Sequence, residues 1–194
     1  MEPLPDPSRS VFINCPFDDG FRPLLDAIVL AVSCCGFLPR SALEGGVSNE
    51  SRMTRVVGAI RESRYSIHDL SRCTGEGPAN LARLNMPLEL GLAMGRHFYQ
   101  SPDHQWLVLT PKEHAQLPFI SDLRAWDLAS HDGSERAVVA AIVTWLGGRR
   151  GIETNPRTVL AKLGQFKQQR GELDEEWFGS PPWRKVVDLA RSLA

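Results

Sequence analysis

Apolar and polar positions along the chain follow two periods in turn. Ser10 to Cys15 is a short apolar run stopped by Pro16, the pattern of a strand buried on both sides in a parallel sheet. After the turn Pro16-Phe17-Asp18-Asp19-Gly20, the spacing predicts a helix over Phe21 to Cys35. It is apolar except for Arg22, Asp26 and Ser33 on one face, and Gly36 ends it. Phe37 to Ala42 reads as a second strand. Pro39 lacks the N–H that a central ladder needs, which makes this an edge strand. A loop from Leu43 to Asn49, with Gly45-Gly46, leads to a helix over Glu50 to Ser63. There Met53, Val56, Val57 and Ile60 fall at helical spacing, and Arg52, Arg55 and Glu62 form the outer face.

The alternation continues. Tyr65 to Leu70 is a third strand, and Ser71 to Leu84 a loop. A helix then starts around Asn85-Met86-Pro87, Pro87 suiting a first turn, and ends near Phe98. Gln105 to Thr110 is a fourth strand, Phe119 to Leu123 a short helix, Ala125 to Ala129 a fifth strand and Glu135 to Leu146 an apolar helix. Strand and helix alternating in this way predict a five-stranded parallel sheet, order 2-1-3-4-5, with helices on both faces. The style changes after Arg149. Helices are expected over Thr158 to Gln169 and Trp183 to Leu193, and Val159, Leu163, Phe166, Trp177 and Trp183 are too apolar to leave in water. The expected organisation is therefore a disordered or extended lead-in over residues 1–9, an α/β domain over 10–148 and a helical C-terminal extension over 149–194.

Composition narrows the function classes. Hydrophobic content of 42% and charged content of 23% in 194 residues are ordinary for a soluble globular chain. A net charge of −1 lacks the basic excess of a general nucleic-acid binder. The start holds prolines and no apolar signal core, and the longest apolar run, Leu24 to Leu38, is too short for a bilayer and carries Asp26. Cys15, Cys34, Cys35 and Cys73 form no C-x-x-C pair and read as reduced core residues of a cytoplasmic protein. The five histidines show no metal-ligand spacing, so no metal is expected.

In a doubly wound sheet, ligands bind beyond the carboxyl ends of the strands. The segments ending there bring Pro16, Phe17, Asp18, Arg40, Asp69, Ser71, Arg72, Asn85, Met86 and Glu89 towards one crevice. Glu89 stands out as one carboxylate in an apolar helix, near an N-terminus whose dipole favours its charged form. Asp69 suits either a site or an Asx turn, and Asp18 either a site or a helix cap. Arg40 and Arg72 are candidates for holding phosphate. The usual dinucleotide, P-loop, serine-hydrolase and zinc-protease fingerprints are absent.

Val11-Phe12-Ile13-Asn14-Cys15-Pro16-Phe17, then Asp69, then Glu89-Leu90-Gly91-Leu92-Ala93 resemble the nucleoside 2-deoxyribosyltransferase family over roughly Val11 to Leu146. That layout and the helix-borne glutamate are also similar to NAD-cleaving TIR domains. The transferases precede their glutamate with Asp-x-Gly-Thr, where this chain has Arg83-Leu84-Asn85-Met86-Pro87. The resemblance implies a flavodoxin-like three-layer sandwich with the C-terminal helices appended. It further implies a ribose-bearing nucleotide as small-molecule partner, with NAD as a substrate rather than a cofactor. Glu89 would act at the anomeric carbon, with Pro16, Phe17 and Asp69 in the pocket wall. A homo-oligomer is expected. The alternative is a TIR-like nucleotide-sensing or protein-interaction module without turnover.

Overall fold

The computed structural model describes residues 6–45, 51–73, 75–76, 81–82, 84–111 and 128–194. Its centre is a five-stranded parallel sheet built from β1 (Ser10–Asn14), β2 (Leu38–Ser41), β3 (Tyr65–Asp69), β6 (Gln105–Pro111) and β7 (Leu128–His131). The order is β2-β1-β3-β6-β7, which is 2-1-3-4-5 when these five are counted along the chain. β2, the strand with Pro39, lies at one edge. Two short segments, β4 (Gly75–Glu76) and β5 (Leu81–Ala82), pair antiparallel within the stretch read from sequence as a plain loop.

Among the described residues six α-helices surround the sheet: α1 (Arg22–Cys34), α2 (Arg52–Arg61), α3 (Asn85–Tyr99), α4 (Glu135–Leu146), α5 (Pro156–Glu176) and α6 (Trp183–Leu193). Ser51, Ser134 and Asn155 cap α2, α4 and α5 by accepting the N–H of Thr54, Ala137 and Thr158. Gly36 follows α1 with φ +81°, and a side chain there would overlap Ile152. Among the described residues no helix is long and apolar enough to cross a membrane.

The period of the strands assigns their side chains to two faces. Val11 and Ile13 of β1, Ile67 of β3, and Leu107 and Leu109 of β6 pack under α1 and α4. The same cluster continues into Val159, Leu163 and Phe166 of α5 and Trp183, Val186 and Ala190 of α6, so the C-terminal helices share the main core. Trp183 Nε1–H also donates to the Pro39 carbonyl at 3.2 Å, tying α6 to β2. On the opposite face Phe12 packs with Val56, Ala59, Ile60 and Ala93, and Trp106 and Val108 with Leu70, Met86 and Leu90, under α2 and α3.

Several expectations change. α2 buries Val56, Ala59 and Ile60, whereas Met53 and Val57 remain 44% exposed each. The small Ala59 turns the packed stripe away from the one that large apolar residues suggested. α5 runs to Glu176 instead of Gln169, its polar second half supported by the i,i+4 pair Arg170–Asp174. Trp177 is 38% exposed and lies outside the core that takes Val159, Leu163, Phe166 and Trp183. Pro7–Arg9 is a 3₁₀ turn capped by Asp6, where a disordered or extended lead-in was expected. The last strand is Leu128–His131. Gly46, the helix expected over 119–123 and the start of the strand expected at 125 lie outside the described residues.

Candidate functional site

The site begins where β1 and β3 end and α2 and α3 begin. α3 starts at Asn85, and its N-cap, Leu84, supplies no side-chain hydrogen bond. The first turn is held instead by Asn14 at the end of β1, whose Nδ2–H donates to the Met86 carbonyl at 2.9 Å. Met86 itself is buried among Leu70, Leu90 and Trp106, and Asn85 is exposed. Glu89 therefore lies in the second turn, later than the helix start expected to stabilise its charge. It is 5% exposed. Its Oε1 lies 3.8 Å from Nη2 of Arg52, the first residue of α2, and among the described residues this is its one ion pair. Burial pushes the Glu89 carboxyl above its ordinary range, and the Arg52 charge pulls it back.

A buried chain of hydrogen bonds fixes the Asn14 amide. His68 pairs with Asn14 across β1 and β3, and the second Nδ2–H of Asn14 meets His68 Nδ1 at 2.9 Å. With Nδ1 accepting, the proton of the ring is on Nε2, which donates to Ser66 Oγ at 2.9 Å. Ser66 then donates to His104 Nε2 at 3.2 Å, and His104 Nδ1–H donates to the Ser63 carbonyl at 2.9 Å. The direction is set from the Asn14 end, where the Met86 carbonyl can only accept; at the far end His104 Nδ1 also lies 3.0 Å from Arg96 Nη1. Burial, with the neighbouring ring, takes His68 down to about 3. Burial and the Arg96 guanidinium take His104 down to about 4. Both rings are neutral at pH 7. With both Asn14 N–H groups committed, Oδ1 is the atom this amide still offers.

Asp69 ends β3 and is completely buried. Its Oδ1 accepts the Ser71 N–H at 2.8 Å, an Asx turn, and its Oδ2 faces His131 Nε2 at 3.2 Å. The Gly133 N–H donates to His131 Nδ1 at 3.1 Å, so the ring proton of His131 is on Nε2. Ser71 Oγ lies 3.3 Å from that same Nε2. A Ser–His–Asp relay needs the serine and the carboxylate on opposite ring nitrogens. Here both use one, and the arrangement is a clasp between β3 and β7 rather than a nucleophile.

The remaining expected residues divide. Asp18 Oδ1 accepts the Phe21 N–H at 3.1 Å and lies 3.4 Å from Arg72 Nη2, so these two residues join the loops after β1 and β3. Pro16 is buried, and Phe17 packs against the core on the α1 side of the sheet. Arg40 is engaged elsewhere, with Glu44 at 2.6 Å and Glu62 at 3.3 Å. Cys15 lies among the acids: Asp69, Glu89 and Asp18 all act on its buried thiol, which burial in the first place pushes well above the usual range. A thiol held protonated in this way is a poor nucleophile. Among the described residues no group of three or more histidine, cysteine or acidic side chains is placed to hold a metal ion.

No protein-family model matches the chain, and no curated protein does.

The structure thus gathers Asp18, Asp69, Ser71, Arg72, Met86 and Glu89 at the carboxyl edge and commits Arg40 to other partners. It adds Asn14, Cys15, Arg52, His68 and His131, which the sequence reading had left out of the site. Arg52 was assigned to the solvated outer face of its helix. For Asn14 and His68 a signal was available: two polar residues inside strands otherwise buried on both faces must find partners.

Proposed function

We propose that this is a nucleotide-binding α/β domain that cleaves or transfers the N-glycosidic bond of a ribose-bearing nucleotide, NAD or a nucleoside, with Glu89 as its catalytic carboxylate. The observation that carries the reading is Glu89 itself: a buried acid at the carboxyl edge of a parallel sheet, 3.8 Å from one half-exposed arginine and hydrogen-bonded to no described residue. Breaking a base–sugar bond builds positive charge on the ribose. A carboxylate stripped of water stabilises that charge or traps it covalently. A cationic leaving base such as nicotinamide needs no proton from the protein, so one carboxylate suffices. Asn14 and the Asp18–Arg72 bridge would frame the sugar and its phosphates.

A second reading has one observation in its favour. At 5% exposure and beside Arg52, Glu89 also suits a nucleotide-sensing or interaction module without turnover. Met53, Val57 and Leu88, exposed on α2 and α3, support self-association in either case. The free cysteines support a reducing, cytoplasmic setting. Incubating the protein with NAD and a panel of nucleosides, and following free base, tests the proposal. Release from at least one member is expected. Saturable binding of one member with no release by any would establish the sensing module. Neither release nor binding would overturn both readings.

A further inference from the structure

We propose that Arg52 is a positioning residue for Glu89, the cation that keeps a buried carboxylate usable while acting on the reaction only through it. The proposal rests on the reading of Glu89 given above.

The two side chains are placed unequally. That of Glu89 is 6% exposed and that of Arg52 is 55% exposed. A pair formed only for surface stability would have both members in water. A structural clamp would make a direct hydrogen bond, within about 3.2 Å. The observed 3.8 Å satisfies neither. At that distance Arg52 supplies its field while the acceptor positions of the carboxylate remain uncommitted for a ligand. Other pairs in this molecule are closer, Arg40 with Glu44 at 2.6 Å among them, so the fold does build tight bridges where it needs them.

What opposes the charge of Glu89 is its burial, and among the described residues no second ionised group is resolved acting on it besides Arg52. α3 surrounds it with Met86, Leu90 and Ala93, all buried. The end of β1 brings Cys15, whose thiol also feels Asp69 from β3 and Asp18 from the following loop. Burial favours the protonated acid, and Arg52 is the described group that favours the anion. A protonated Glu89 has no charge to set against a developing ribose cation. Removing Arg52 should therefore raise the pH at which Glu89 becomes charged, with substrate contacts and fold left in place.

The experiment compares wild type, Arg52→Gln and Arg52→Lys by carboxyl NMR titration, with Glu89 assigned by the signal lost in Glu89→Gln. The pH profile of base release is followed in parallel. An opposite charge at this range moves a carboxyl by about one pH unit or more. In Arg52→Gln both the Glu89 midpoint and the acid limb of kcat/KM should rise by about that amount. The loss should be about tenfold below the limb, with recovery at higher pH, and Arg52→Lys should restore most of it. An unchanged Glu89 midpoint in Arg52→Gln would overturn the proposal. So would a loss of rate that persists at every pH, since that marks a substrate contact or a structural role. If the wild type releases no base from any nucleotide, the catalytic reading of Glu89 fails, while the titration still decides whether Arg52 sets its charge.

Discussion

Three buried titratable side chains show how burial and partners compete at single positions. Asp26 of α1 is 6% exposed and faces Arg22 on its own helix and Lys167, Arg170 and Asp174 on α5; Lys167 is in turn paired with Glu135 of α4. Arg22 and Arg170 both form ion pairs with Asp174 rather than with Asp26. Desolvation outweighs the cations and raises Asp26 to about 6. A carboxyl raised above its unfolded value favours the fold at low pH and loses that contribution as pH rises through about 6. Asp26→Asn should therefore be more stable than wild type at pH 7, by about 1–3 kcal/mol, with the gap closing towards pH 4; denaturant titrations across that range check it. His68 and His104 have the opposite sign. Lowered to about 3 and about 4, they support the fold above about 6.5 and stop doing so as pH falls towards those values. His68→Leu strands an Asn14 N–H and breaks the chain at Ser66, and it should cost about 2–4 kcal/mol at pH 7 by chemical denaturation. It should also flatten the acid limb of the stability profile. The placement of Asp69 at a strand end and of Glu89 on an apolar helix was legible from sequence, and of the two readings open for Asp69 the structure shows the Asx turn. His131 was not legible, because its partner Asp69 lies 62 positions away and no local pattern announces it.

Among elements, legibility followed the strength of the period. α4 and α6, with continuous apolar stripes, lie where the sequence placed them, at Glu135–Leu146 and Trp183–Leu193. α2 existed as expected but with its packed face rotated, since Met53 and Val57 look like core residues and Ala59 does not. α5 was cut short because its last turns carry no apolar stripe and are held by charge. Two phenylalanines, one at the middle of α5 and one past its end, make a direct comparison. Phe166 is fully buried between α5 and the α1–α4 layer, whereas Phe178, just beyond the helix, is 98% exposed with φ +50°. Phe166→Ala should lower stability by about 3–5 kcal/mol, the cost of a large cavity. Phe178→Gly should be neutral or mildly stabilising, because it removes an exposed aromatic from a left-handed position. Thermal melts of the two variants beside wild type check both.

For the whole molecule, the parallel sheet and its order followed from strand–helix alternation, and the edge position of β2 followed from Pro39. The two-sided site did not. It exists only because the 2-1-3 order sets the end of β1 beside β3 and lays α2 and α3 over the same face, so that Arg52, Asn14 and Glu89 meet. On the proposed function, this fold delivers one desolvated carboxylate to a ribose. Glu89→Gln preserves size and removes the charge, so wild type and this variant, compared on the nucleotide that releases base, test it most directly. A fall in kcat of about a hundredfold or more, with nucleotide affinity changed only slightly, is the predicted result, because the loss falls on the transition state. Equal turnover by the two proteins would contradict it.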